Sequence, residues 1–321
     1  IDSLIEIWDQ QHEAGELPAS YTLALAHMDR WGDIGFQERA QEYLDTGIKG
    51  EHSPSMILMG EISEEGLLGT VDEFKAYDLY RQAAGLSDPL GMVKLGHCFE
   101  NGISIDRDLA KAITWYERSI ENGSTEGMAQ LGRCYLEGIG VRKNAILGLE
   151  WYTKAAEANN PSAMFFLGRE LLIGQEIRKD TSDGIEWLKR AAEFGELDAL
   201  LPLGIAYSDG TVKSDLKLAN EYFKEAAERG DVVSMYRFAN NLRDGSGIPQ
   251  DKTKAYEWYG KAAAKDHLDS INQLAVCYSS GAGVAQDQRQ AYKLFKKASN
   301  LGHLQAKANL AVCYAKGLGV A

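Results

Sequence analysis

The residues of this 321-residue chain that could do chemistry are four cysteines, six histidines and a set of Gly-x-Gly triplets. Cysteines can ligate metals, attack electrophiles or close disulfides, and histidines can move protons or hold zinc. Closely spaced glycines can cradle a phosphate. The spacing argues against each use. Cys98 and Cys134, and Cys277 and Cys313, stand 36 residues apart, and none has an evident histidine partner. His12, His27, His52, His97, His267 and His303 include no two at metal-ligand spacing. No Lys-Ser/Thr follows a glycine loop, and there is no dinucleotide fingerprint, nucleophile elbow or His-Glu-x-x-His helix. The sequence therefore predicts no catalytic residue, no metal and no cofactor.

The elements that would have to position such residues show themselves in the glycines. Gly66, Gly102, Gly138, Gly174, Gly210, Gly245, Gly281 and Gly317 succeed one another at steps of 36 residues, with a single step of 35 from Gly210 to Gly245. Six residues before each runs a second ladder of small residues: Gly60, Gly96, Gly132, Gly168, Gly204, Ala239, Ala275 and Ala311. A period of this size marks a solenoid or a propeller. Within one unit, Met128, Leu131, Tyr135 and Leu136 recur at helical steps and stop at Gly138. After the turn, Leu149, Trp151, Tyr152, Ala155 and Ala156 do the same. The unit is a helical hairpin, the fold class is all-α, and the Gly-x-Gly triplets at 138, 245, 281 and 317 are helix stops.

Small residues facing large ones are expected to set the helix approach, with Trp115, Trp151, Trp187 and Trp258 filling the space between hairpins. Ser53, Asp88 and Asn160 are expected to cap first helices that begin at Pro54, Pro89 and Pro161. The fifth copy breaks the pattern: Pro202 falls inside a first helix, where a kink is expected, and its turn is one residue short. The cysteine pairs lie at equivalent positions of successive first helices, too far apart to bridge, and read as buried thiols.

The formal net charge is −13, against the nonspecific phosphate binding of a basic groove, so no nucleic acid is expected. Residues 1–80 carry 17 Asp+Glu and 4 Lys+Arg, which accounts for the whole surplus. No apolar run reaches the length of a membrane span. The start at Ile1 rather than Met fits a trimmed chain or a mature protein whose leader has been removed. Residues 1–19 read as an acidic helical cap, 20–53 as a degenerate first repeat, and 54–321 as the repeats proper, the last stopping after its first helix.

The recurring text resembles the Sel-one-like repeat, a relative of the tetratricopeptide repeat. It is carried by Leu131-Gly132, Tyr135, Gly138, Gly140-Val141, Trp151-Tyr152 and Lys154-Ala155-Ala156, and again by the copies from Ala239 and from Ala275. The resemblance implies a right-handed α-α superhelix of about eight 36-residue repeats whose first helices line a concave side. Some secreted members staple each hairpin with a disulfide; here no copy holds two cysteines. By the same resemblance, residues at minus three, plus one, plus four and plus five from the ladder residue face the groove. Those positions give Glu61, Glu64, Glu65, His97, Asn101, Arg133, Glu137, Phe165, Arg169, Tyr236, Asn240 and Arg243 as partner-binding candidates, with Ile57, Val93 and Glu100 beside them. The resemblance further implies a non-catalytic adaptor for a protein or peptide, bacterial and cytoplasmic or periplasmic, in envelope, signalling, host-interaction or toxin-inhibitor work. The acidic first quarter points to a basic partner at that end. The rival reading is an enzyme or small-molecule binder acting on cell-wall-related compounds.

Overall fold

The computed structural model describes residues 22, 34–67, 69–174 and 178–320. The expected cap at residues 1–19 lies outside them. Among the described residues there are sixteen α-helices and no strand. Helix α1 (Ile34–Lys49) precedes eight first helices: α2 (Ser53–Glu65), α4 (Pro89–Asn101), α6 (Thr125–Glu137), α8 (Pro161–Ile173), α10 (Leu200–Ser208), α12 (Val232–Asp244), α14 (Leu268–Ser280) and α16 (Leu304–Lys316). Seven second helices alternate with them: α3 (Glu73–Gly85), α5 (Leu109–Glu121), α7 (Ala145–Glu157), α9 (Thr181–Glu193), α11 (Leu216–Glu228), α13 (Lys252–Ala264) and α15 (Gln288–Asn300). The chain forms two compact units divided between Ala163 and Met164. In the first, Leu44, Met59, Tyr80 and Leu95 build one core cluster, and Tyr116, Leu131 and Cys134 another. In the second, Phe223, Phe238 and Tyr259, then Ile271, Phe295 and Ala306, play the same part.

Each hairpin closes on one contact. The ladder glycine of a first helix lies under a large side chain of the second, so that a Cβ on Gly60 would sit 2.5 Å from the Tyr80 ring, on Gly96 2.5 Å from Tyr116, and on Gly204 2.5 Å from Phe223. Where the facing residue is Leu188, Gly168 has the same need, at 2.7 Å. The buried rings of the second helices are Tyr80, Tyr116, Tyr152, Phe223, Tyr259 and Phe295, not the tryptophans. Trp115, Trp151, Trp187 and Trp258 are half-buried one position earlier. Each lies beneath the cation three residues on, with Arg118, Lys154, Arg190 and Lys261 at 4.8, 4.5, 4.5 and 3.8 Å from the ring.

The helix ends follow the sequence closely. Second helices are capped by Asp72, Asp108, Asn144, Asp180, Asp215, Asp251 and Asp287, whose side chains accept backbone N–H groups of the first turn. First helices end on left-handed glycines such as Gly102 (φ 74°), Gly138 (φ 79°) and Gly281 (φ 74°). Asp88 and Asn160 cap as expected. Ser53 does not: it is the first residue of α2, with His52 before it, and its hydroxyl donates to Asp88 instead. The expected kink at Pro202 is also absent. A 3-10 turn at Leu197–Ala199 precedes α10, which starts at Leu200, so Pro202 falls in the first turn, where its missing N–H costs nothing.

The ring-on-glycine contact predicts opposite outcomes for two glycine substitutions. Gly96→Ala should destabilise the protein by about 1–3 kcal/mol, because the methyl meets the Tyr116 ring. Gly260→Ala, mid-helix in α13 with nothing within 4 Å of its Cβ, should stabilise it by about 0.5–1 kcal/mol. Urea-unfolding midpoints of the two variants check both signs.

Candidate protein-binding site

The residue after each ladder position is Glu61, His97, Arg133, Arg169, Ile205, Asn240, Val276 or Val312. The backbone puts all eight at one place on their helices, and none is fully buried. Their surroundings differ between the units and within them.

In the first unit, the Glu61 carboxylate pairs with Lys94 Nζ at 2.6 Å. Glu64 accepts the Tyr80 hydroxyl at 2.9 Å. The Tyr116 hydroxyl donates to Glu100 Oε2 at 2.7 Å, and Arg133 Nη2 donates to both oxygens of that carboxylate at 2.8 and 2.7 Å. Arg133 also donates to Gln130 at 3.1 Å and lies 3.8 Å from Glu137. His97 packs edge-on against Tyr116 and hydrogen-bonds Gln130. Burial lowers its pKa, holding the imidazole neutral. Burial alone would raise the pKa of Glu100, but the bonds from Arg133 and Tyr116 outweigh it and hold the carboxyl below the ordinary range. Glu65, Asn101 and Glu137 are exposed.

In the second unit, Phe165 and Phe166 each lie 5.8 Å from the Arg169 guanidinium, which also reaches the buried Glu170 at 3.4 Å. Tyr236 packs on the His267 ring at 5.1 Å and on Tyr259 at 6.2 Å. The Tyr259 hydroxyl donates to Asn240 at 2.6 Å. Arg243 makes two bonds of 2.7 Å to Asp244 and one of 3.4 Å to Gln273.

The predicted residues lie at several positions of the first helices, and most of them are engaged within the protein. Ile57 and Val93, expected beside them, are instead buried in the core, whereas Phe165 and Tyr236 at the same minus-three position are half-buried. Several participants were not singled out from sequence, namely Lys94, Gln130 and the second-helix hydroxyls of Tyr80, Tyr116 and Tyr259. A legible signal existed, since Glu64/Tyr80 and Glu100/Tyr116 both stand 16 residues apart.

The cysteines are free and buried, and burial pushes the Cys98 and Cys134 thiols up to about 12. Such thiols are poor nucleophiles at neutral pH. Among the described residues no group of three or more His, Cys, Asp or Glu side chains is placed to hold a metal, and no helix is long and apolar enough to cross a membrane.

This architecture is an all-α solenoid of tetratricopeptide-like hairpins, a protein-interaction repeat fold. The Sel1 repeat family model matches residues 53–88, 89–124, 125–160, 161–195, 198–231, 232–267, 268–303 and 304–321, and the chain belongs to that family. It is similar in structure to c5321, described as a protective antigen present in uropathogenic Escherichia coli strains and displaying an SLR fold. The identity is 27%, with a TM-score of 0.68, covering 97% of this chain and 67% of that one. It is also similar to a Sel1 repeat protein from Oxalobacter formigenes, at 27% identity and a TM-score of 0.64 over 76% of this chain and 99% of that one. Protein 5086 of Pseudomonas aeruginosa, 20% identical with a TM-score of 0.54 over 73% of this chain and 89% of that one, shares the fold. No curated protein matches the sequence.

The Glu100 cluster predicts a pH-dependent cost. Arg133→Met leaves a buried carboxylate without its cation and should cost about 3–5 kcal/mol at neutral pH. Adding Glu100→Gln should recover most of it. Because the folded pKa of Glu100 is depressed, its contribution is present above the unfolded value of about 4.3 and drains away as pH falls through the lower folded value. The gap between wild type and Arg133→Met should therefore narrow below about pH 4. Urea midpoints across pH, with Glu100→Gln as reference, read this directly.

Proposed function

We propose that this protein is a non-catalytic adaptor that holds protein segments on the first-helix faces of its two units, with a basic segment on the first unit at the end nearest α2. The observation that carries the reading is the contrast between two adjacent positions. The ladder residue is always Gly or Ala, whereas the residue after it changes from carboxylate to imidazole, guanidinium, amide and aliphatic along the chain. A helix surface kept only for solubility would not need half-buried, hydrogen-bonded Glu61, His97 and Arg133 at the same register. Side chains already held by their neighbours lose little freedom on binding, which favours recognition by a preformed surface.

The preference for a basic segment rests on Glu61, Glu64, Glu65, Glu100 and Glu137, which outnumber Lys94 and Arg133 on this face of α2, α4 and α6. Glu65 and Glu137 are the exposed members. Arg169, Tyr236, Asn240 and Arg243 supply the cationic and aromatic anchors of the second unit, of the types that dominate interface energetics.

The test begins with a partner captured by affinity purification from the native host and then purified for titration. A Glu65→Lys/Glu137→Lys variant should bind it at least tenfold more weakly with an unchanged melting temperature, since neither residue supports the core. Weakening by added salt should be steeper for wild type than for the variant. Equal affinity of the two proteins would remove the first-helix face of the first unit from the binding site.

A further inference from the structure

In the regular turns, the residue two beyond the helix-ending glycine adopts a left-handed conformation: Ser104 (φ 60°), Gly140 (φ 68°), Gly247 (φ 68°), Gly283 (φ 78°) and Gly319 (φ 67°). The four glycines press on the first residue of the preceding second helix. A Cβ on Gly140 would lie 2.7 Å from the Leu109 carbonyl and one on Gly247 2.5 Å from Leu216, while Gly283 and Gly319 meet Lys252 and Gln288 in the same way. The fifth repeat cannot make this contact. Val212 occupies the position, does not take the left-handed conformation that a β-branched residue resists, and sits in a turn one residue short. Gly210 accordingly has nothing within 4 Å of its Cβ direction, whereas Gly102, Gly138, Gly245 and Gly281 each face the residue five on at 3.3–3.5 Å.

A hollow of about 420 Å³ lies between α9 and this turn, against about 310 Å³ at the equivalent place one repeat later. Its apolar lining is Ile185, Val212 and the Tyr207 ring. The Lys189 ammonium lies 5.6 Å from the centre of that ring and hydrogen-bonds the Tyr207 hydroxyl, which raises its pKa and keeps it charged. Lys213 is exposed at the rim, and Glu186 is the one acid of the lining. The next hollow repeats the chemistry, with Phe238, Ile248 and Pro249 as apolar surface and Lys217 and Lys224 against Glu221. Two hollows one repeat apart thus each offer an apolar seat flanked by two ammonium groups and one carboxylate. None of these residues belongs to the first-helix positions of the proposed adaptor face.

We propose that these hollows form a second docking site, which takes an acidic peptide with spaced aliphatic side chains. Charge complementarity selects the occupant: Lys189 and Lys213 outnumber Glu186 in the first hollow, and in the second Lys217 lies beside Glu221 while Lys224 pairs with Glu228 at 3.6 Å. An aliphatic side chain fills each hollow and the intervening carboxylates reach the lysines.

The probe is the blocked hexapeptide acetyl-(Leu-Asp-Glu)₂-amide, titrated into the ¹⁵N-labelled full chain. Saturable amide shifts should centre on residues 182–189, 207–213 and 217–224. The carboxylate-free analogue acetyl-(Leu-Asn-Gln)₂-amide should bind at least fivefold more weakly, and so should the peptide to Lys189→Ala/Lys213→Ala. Lys213→Ala alone, at an exposed turn residue, provides a variant with no folding role. Shifts centred on the first-helix face, equal binding of the analogue, equal effects of inorganic phosphate, or no shift at all would each overturn the site. None of these outcomes bears on the adaptor face, which is read out at Glu65 and Glu137.

Discussion

The structure depends on a large side chain of each second helix packing against the small ladder residue of its own hairpin. Tyr80, Tyr116, Tyr152 and Phe223 reach the first helix of their own hairpin only because the facing residue has no side chain, and the close approach places the two helices at one separation and one roll in each repeat. Once the roll is set, the residue one step beyond the glycine must emerge on the same side every time. The recurrence of partly exposed side chains at Glu61, His97, Arg133 and Asn240 follows from the burial of the position before them. The core contact and the recognition surface are two sides of a single helical turn.

Much of this could be read from the amino acids because the demands on small residues are strict. A left-handed helix stop excludes most residues with a Cβ, and a large side chain packed over the ladder position admits only glycine or alanine, so the two ladders carry nearly the whole architecture. Tertiary reach was harder to see. Arg133 and Glu100 are 33 residues apart, and only the stacking of α4 on α6 brings them to 2.7 Å, so a residue read as waiting for a partner turns out to have one. Ile57 and Val93 were misplaced for a related reason, since a rule borrowed from a related repeat does not carry the exact roll of these hairpins. Pro202 misled because it was counted from the usual helix start, whereas α10 begins late and absorbs it.

The first-helix face therefore has two populations. Glu61, Glu64, Arg133 and Arg243 are tied to neighbours at 2.6–2.9 Å, and they hold shape and charge in place. Glu65, Asn101 and Glu137 project without that restraint. Buried ion pairs such as Glu100 with Arg133 often add little net stability, but they penalise any alternative packing that strands either charge. A fixed electrostatic template with a few exposed acids at its edge suits recognition that must be selective without being covalent.

The turn glycine seated on the preceding second helix also works as a register clip between copies. Because the clip joins each copy to the one before it, gain or loss of a whole 36-residue unit by gene duplication leaves every remaining junction matched. Loss of a single residue unfastens one junction. The step of 35 between Gly210 and Gly245 is one residue short in this way. The array absorbed it as a local gap instead of a frameshift of all later helices, so the chain has the error tolerance of a code punctuated at every word.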